Sequence, residues 1–378
     1  MRSDAPPAVD VVLVGGGHSH VQVLRAFGER PPAGVRVTLV SRDMLTPYSG
    51  MLPGHVAGFY DAREIHIDLR PLARFAGARL IAAQAVGLDT ASRCVQLAGH
   101  PPIRYDVLSI NSGAAPGRIG DCGVPVKPIG GFLPRWRDVR ERVRPGQRIL
   151  LVGGGAGGVE LALAMRRALG PKVILTLATD VLLPGQNARA TVRLRDALSR
   201  HGIELLEGFR VTSAVSAGEG CDVVAEDGRR IAAAHLFWVT AVTAPEWLAG
   251  AGLALDRQGF VLVDRHLRSV SHPEVFAAGD VAAFAERALP KAGVYAVRQG
   301  PVLTENLRRT VLGRPLVRYR PQRRFLTILG TGDGSAVASR GRWAAAGRWV
   351  WRWKERIDRR FIRRFSELPD LAVAGRWA

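Results

Sequence analysis

The chain is poor in sulfur and short of acids. Only three of its 378 residues are cysteine, Cys94, Cys122 and Cys221, and none belongs to a CxxC or similar pair. Neither a disulfide framework nor a zinc or other metal site is therefore indicated. No uninterrupted apolar run approaches the roughly 18 residues that span a bilayer. The stretch from Met1 to Asp10 is too short and polar for a signal peptide, so a cytoplasmic location is expected. Acidic residues number 33 against 53 basic ones, which leaves a formal charge of +20. Such a surplus implies attraction to something anionic: phosphate-bearing cofactors, a lipid surface, nucleic acid or an acidic partner. An Arg-rich coding bias gives the same surplus with no partner at all, and charge alone identifies none.

Glycine, by contrast, is abundant, and two clusters of it carry the argument. The first closes Val11-Val12-Leu13-Val14 with Gly15-Gly16-Gly17-His18-Ser19-His20. The second closes Ile149-Leu150-Leu151-Val152 with Gly153-Gly154-Gly155-Ala156-Gly157-Gly158-Val159-Glu160. Each follows a run rich in β-branched residues and opens a helix. A pyrophosphate needs bare backbone N–H groups at a helix N-terminus, and a Cβ there would block its approach. One such turn is a weak signal. Two of them, followed by Phe276-Ala277-Ala278-Gly279-Asp280, predict two dinucleotide sites and electrons handed from one to the other.

Between these landmarks strands and helices alternate. Strands are expected at Val35–Val40, near Arg79–Leu97, from Tyr105 to Gly113, and at Val173–Leu177. Helices are expected over Val21–Phe27, Val159–Leu169, Ala190–His201 and from about Val294, with an arginine-rich helix or linker near Pro134–Pro145. The pattern predicts an α/β fold with parallel sheets and two Rossmann-like domains.

These motifs resemble the two-dinucleotide-binding flavoproteins, the pyridine nucleotide–disulfide oxidoreductase superfamily, in its type II NADH dehydrogenase-like branch. Gly15–Val21 and Thr46-Pro47-Tyr48-Ser49-Gly50-Met51-Leu52-Pro53-Gly54 look like the subgroup found fused ahead of selenide, water dikinase. The resemblance implies a discontinuous FAD domain over 1–145 and 244–315, an NAD(P)H domain over 146–243 inserted in it, and a C-terminal region over 316–378. It implies that Gly15, Gly16, Gly17, His18 and Ser19 cradle the FAD pyrophosphate, with Ser41, Arg42 and Gly113 nearby. Ser41 stands where an acid would bind the ribose. Gly279 and Asp280 would meet the ribityl chain, although an Asp there also suits a helix N-cap. Gly153, Gly155 and Gly158 would hold NAD(P)H, and Glu160 would sit near the nicotinamide. His20 takes the third glycine position, where packing is the simpler role. After Val173–Leu177 come Ala178-Thr179-Asp180, with neither an acid nor a base at the expected ribose position. Ala241 replaces the usual glycine at the end of a later strand.

Disulfide reductases carry a cysteine pair on the segment after the second strand. Here Thr46–Gly54 holds Tyr48 and Ser49 instead, so no redox-active disulfide is expected. Sulfide oxidation also needs a late cysteine, and none follows Cys221. The resemblance leaves FAD-dependent NAD(P)H oxidation with a quinone or other small acceptor, and Tyr48, Lys127 and Gln299 as candidates beside the ring. The alternative is an FAD-binding redox partner or regulatory protein with weak pyridine-nucleotide use, linked to selenium metabolism. A homodimer is left open.

The tail is rich in Trp and Arg. Drawn as a helix at about 100° per residue, Gly347–Phe365 gathers Trp349, Val350, Trp353, Ile357, Phe361 and Phe365 on one face. Arg348, Arg352, Arg356, Arg359 and Arg363 gather on the other. Such a helix suits peripheral contact with the inner face of a membrane or packing on its own domain. No nucleic-acid module is visible, and nucleic acid is not an expected partner.

Overall fold

The computed structural model describes residues 9–117, 120–240 and 242–369. Two five-stranded parallel sheets organise the chain. The first is built on β1 (Val9–Val14), with β2 (Val35–Ser41), β3 (Arg79–Ala82) and β4 (Val107–Ile110). Val11, Val12 and Leu13 are all buried, as a strand covered on both faces requires. The chain then crosses to a second sheet made of β5 (Val124–Pro125), β6 (Arg148–Val152), β7 (Ile174–Ala178), β8 (Glu204–Leu206) and β9 (His235–Trp238). Its order is β5-β9-β6-β7-β8. Finally β10 (Val275–Ala277) returns to the first sheet, whose order is β10-β4-β1-β2-β3. The two crossings, Ala115–Pro116 and Val242–Thr243, pair antiparallel with each other.

Helix α1 (His18–Glu29) follows β1 and α2 (Ala156–Leu169) follows β6. Helix α3 (Gly293–Val311) packs on α1, where Ser19 Oγ donates to the Ala296 carbonyl at 2.7 Å and Gln22 Nε2 to that of Val297 at 2.7 Å. A three-stranded antiparallel sheet (Thr327–Gly330, Ala336–Arg340, Trp343–Gly347) leads into α4 (Arg348–Ser366). No helix among the described residues is long and apolar enough to cross a membrane.

Three expectations need correction. Strand β5 belongs to the second sheet, so the chain leaves the first sheet before residue 124 and not at 146. Of the two readings of the arginine-rich segment the helix is the one that forms, over Ile129–Arg142 with Pro134 inside it, and needs no correction beyond its bounds. Cys122 and Cys221, read from sequence as isolated, form a disulfide with Cα atoms 6.1 Å apart. Their separation of 99 residues leaves no local signal. The tail helix also turns a different face inward. Val350, Trp351, Lys354, Asp358, Phe361, Ile362 and Phe365 are buried, while Trp349, Trp353 and Ile357 are exposed. Ala241 and the first eight residues lie outside the described residues.

Candidate cofactor and electron-transfer site

Backbone geometry explains the first glycine turn. Gly15 has φ +96°, and a Cβ on it would fall 2.5 Å from Ser112 Cα at the end of β4. Gly17 is the N-cap of α1 and has no side chain to cap the helix. Asn111 does this instead, its Oδ1 accepting from the Ser19 N–H at 3.0 Å and the His20 N–H at 3.3 Å. Its Nδ2 donates to the Ala278 carbonyl at 2.5 Å. One buried amide thus ties the turn after β1 to the ends of β4 and β10, and the sequence gave no hint of it. Gly16 is fixed by Thr46, whose hydroxyl donates to its carbonyl at 2.7 Å.

The second turn repeats the logic. Gly153 has φ +124° and lies against Val239, while Gly158 lies against the Gly153 carbonyl. Gly155, the N-cap of α2, would meet nothing within 4 Å if it carried a Cβ, so that side of the turn is open.

Beside the second turn is a cavity of about 430 Å³. Gly157, Glu160 and Trp238 line it together with Ser49, Lys127, Phe260 and Lys291. Asp280 accepts from Lys127 Nζ at 2.8 Å. It lies inside the short turn Gly279–Val281 whose N-cap is Ala278, so the capping role is not the one it plays. Gln299 is buried, and its Oε1 accepts the Gly279 N–H at 2.7 Å, which makes it a positioning residue for the Gly-Asp turn. Lys291 Nζ sits 3.5 Å from the centre of the Phe260 ring and donates to the Ala282 carbonyl at 2.7 Å. Burial lowers it to about 8.

Glu160 is buried, and its Oε1 accepts the Gly330 N–H at 2.8 Å. Lys354, from α4, lies 3.8 Å from Glu160 and 2.7 Å from Asp358, and donates to the Gly50 carbonyl at 2.6 Å. Burial pushes Glu160 up to about 6, against the pull of Lys354. Burial likewise raises Asp358. Lys354 is kept charged because the two carboxylates outweigh its own desolvation. One cation thus serves two buried acids, and burial makes each of them harder to ionise than a free carboxyl. The Tyr48 hydroxyl bonds to Asp358, and burial raises it. Its ring stacks on Phe361 at 4.5 Å. Neither Lys354 nor Asp358 was singled out from sequence.

His18 packs edge-on against Tyr48 and Phe361. Burial lowers it to about 4, so it is neutral, and one ring nitrogen bonds to the Pro47 carbonyl. Its Nε2 is buried with no partner, and in this tautomer it is an acceptor awaiting a donor. His20 is fully used, between the Gly15 carbonyl at 2.6 Å and Ser109 Oγ at 2.8 Å. The Ser19 hydroxyl is spent on α3 as described. Ser41 donates to the Asp43 carbonyl at 2.7 Å, and Arg42 pairs with Asp43 at 2.8 Å, so the acid after β2 is Asp43. A Cβ on Gly113 would meet nothing within 4 Å.

An orphaned acceptor at His18, two glycine turns at helix N-termini, and the Lys127–Asp280 pair together fit two dinucleotides. A model of the pyridine nucleotide-disulphide oxidoreductase family matches residues 9–300. The ferredoxin–NAD(+) reductase component of the biphenyl dioxygenase system of Paraburkholderia xenovorans is 33% identical over 200 residues. That match covers 52% of this chain and 48% of the relative, about half its length. An NAD(P)H dehydrogenase (quinone) from Mycobacterium tuberculosis is 28% identical over 196 residues, 51% of this chain and 38% of that protein. The sulfide:quinone oxidoreductase of Aquifex aeolicus shares the fold at a TM-score of 0.79 and 19% identity, covering 95% of this chain and 92% of that one.

Proposed function

The chain belongs to the pyridine nucleotide-disulphide oxidoreductase family, and on that footing we propose that it is an FAD-dependent NAD(P)H oxidoreductase that delivers electrons to a quinone. One observation carries the reading: Gly157 and Glu160 of the second glycine-turned helix share one cavity with Ser49, Lys291 and Lys127, the lysine that holds Asp280 of the Gly-Asp turn. FAD, held by Gly15–Gly17, Asp280 and His18 Nε2, would supply hydride acceptance and onward electron release. NAD(P)H would be held by Gly153, Gly155 and Gly158. The protein's own part is placement and charge. Lys127 fixes the Asp280 carboxylate, Gln299 fixes the turn that carries it, and the cavity walls exclude water. Glu160, raised by burial to about 6 and lining the cavity, would exchange a proton with an acceptor as it is reduced.

No thiol relay enters this reading. Thr46–Gly54 contains no cysteine, and Cys122 and Cys221 are not among the residues lining the cavity. They pack with Phe209 and Trp238 in the core beside the second sheet.

Helix α4 supports an apolar acceptor drawn from a lipid surface. Its inner face packs behind the site, with Lys354 beside Glu160, Asp358 bonded to Tyr48, and Phe361 against Tyr48 and His18. Its outer face exposes Trp349, Trp353 and Ile357 at four-residue spacing, and the two indoles stack at 6.4 Å. Arg348, Arg352, Arg356 and Arg360 flank them, a composition suited to anionic headgroups.

Anaerobic addition of NADH or NADPH to the flavin-loaded protein tests the donor half. Bleaching of the visible flavin band is expected, followed by reoxidation on adding a short-chain quinone. A bound flavin that neither nucleotide reduces sinks the donor assignment. Reoxidation by a ferredoxin and not by quinone sinks the acceptor.

A further inference from the structure

The ribose end of the second turn holds a pair of charges that the residue order does not reveal. Segment Thr179–Leu183, just past β7, lies on the glycine turn: the Leu183 N–H donates to the Gly154 carbonyl at 2.8 Å. A Cβ on Gly154 would run into Thr179. In a Rossmann unit this is where the adenosine ribose is read, by an acid for a bare 2′-hydroxyl or an arginine for a 2′-phosphate. Asp180 occupies the segment. The loop after β8 docks against it, the Gly208 and Phe209 N–H groups donating to the carbonyls of Asp180 and Thr179 at 2.9 and 3.0 Å. That docking brings Arg210 alongside.

Arg210 Nη2 and Nε lie 2.7 and 3.2 Å from the same oxygen, Asp180 Oδ2. Glu226 lies 3.7 Å from the guanidinium on its other side. Both members of the pair are exposed, with 61% of the Arg210 side chain and 48% of the Asp180 side chain open to water. An exposed pair of this kind is weakly held and readily exchanged. A 2′-phosphate offers the guanidinium two charges and three acceptor oxygens in place of one carboxylate oxygen.

We propose that Asp180 and Arg210 form a ribose reader that accepts both NADH and NADPH. With NADH, Asp180 takes the 2′-hydroxyl and Arg210 stays on its carboxylate. With NADPH, Arg210 leaves Asp180 for the 2′-phosphate, and its charge offsets the repulsion that Asp180 alone would exert. The inference rests on the nicotinamide-dinucleotide site proposed above and adds to it the residue that sets selectivity.

Calorimetric titration of the flavin-loaded protein with 5′-AMP and 2′,5′-ADP tests it without any turnover. These probes carry the discriminating ribose and no nicotinamide. The wild-type dissociation constants are expected to lie within about tenfold of each other. Arg210→Ser should weaken 2′,5′-ADP by about tenfold or more and leave 5′-AMP nearly unchanged. Asp180→Ser should tighten 2′,5′-ADP and weaken 5′-AMP. The kcat/KM ratio for NADPH over NADH should move in the same directions. A wild-type preference beyond about a hundredfold, or equal weakening of both probes by Arg210→Ser, overturns the reader and leaves the dinucleotide site standing. Binding of neither probe overturns the site and the reader with it.

Discussion

Lys354 and Glu160 meet at 3.8 Å beneath the cavity, one on the last helix and the other on the helix that opens from the second glycine turn. The contact makes the C-terminal region part of the site. Lys354→Met removes the one cation between two buried carboxylates, and unpaired buried charge is costly. A loss of about 3–5 kcal/mol is expected in urea unfolding. Lys354→Met combined with Glu160→Gln should recover part of it, because one buried charge is then removed as well. A double variant no more stable than Lys354→Met would show that the two side chains are not coupled.

The acid limb of the stability curve should carry opposing contributions. Burial holds His18 and His20 down to about 4 from an ordinary 6.5. The unfolded chain therefore binds their protons first, and stability falls as pH drops from 6.5 toward 4. Glu160 is raised by burial from 4.5 to about 6, so the folded chain binds its proton first and stability rises as pH falls through that window. Among these three groups the net loss between pH 6 and 4.5 corresponds to one proton. Glu160→Gln should steepen it to two. Urea midpoints across this range would measure both slopes, and equal slopes would contradict the raised Glu160.

Asn111 carries three strands' ends through one amide. Asn111→Ala leaves the Ser19 and His20 N–H groups and the Ala278 carbonyl without that partner. A loss of about 1–3 kcal/mol is expected. Flavin content after purification should fall too, because the first turn loses its anchor. Full flavin retention would mean that the turn holds its shape without Asn111.

The outer face of α4 can be tested without disturbing the inner one. Deleting the helix would strip Val350, Trp351 and Phe365 from the core, so loss of lipid binding in a truncated chain would be uninformative. Replacing Trp349, Trp353 and Ile357 with Ser removes exposed apolar area and should shift stability by no more than about 0.5 kcal/mol per site. Co-sedimentation with vesicles containing anionic lipid should drop sharply while flavin content stays constant. Unchanged sedimentation would point away from a membrane role for this face.

The glycine turns, the Gly-Asp turn and most strands were legible because each rests on local chemistry: positive φ, close backbone approach, β-branched runs. What was not legible depends on contacts far apart in sequence. A helical wheel grouped Trp349, Trp353 and Ile357 with Val350, Phe361 and Phe365 on one face and offered no reason to bury Lys354 or Asp358. At four-residue spacing those two look like a surface ion pair. Glu160, Tyr48 and the Gly50 carbonyl, brought from other elements, make their burial tolerable. Gln299 looked free to meet an acceptor until the Gly279 N–H claimed its carbonyl. The Cys122–Cys221 bond and the Asp180–Arg210 pair likewise depend on loops that sequence spacing cannot juxtapose.

The paired crossings at Ala115–Pro116 and Val242–Thr243 have an architectural consequence. Hydrogen-bonded strands run about 4.8 Å apart, so the inserted half begins and ends at nearly one point in space. A segment with adjoining ends can be cut out, exchanged or circularly permuted while the host closes over the gap with little rearrangement. The second sheet is thus a cassette, and the host half keeps both the first glycine turn and Asp280 when it is removed.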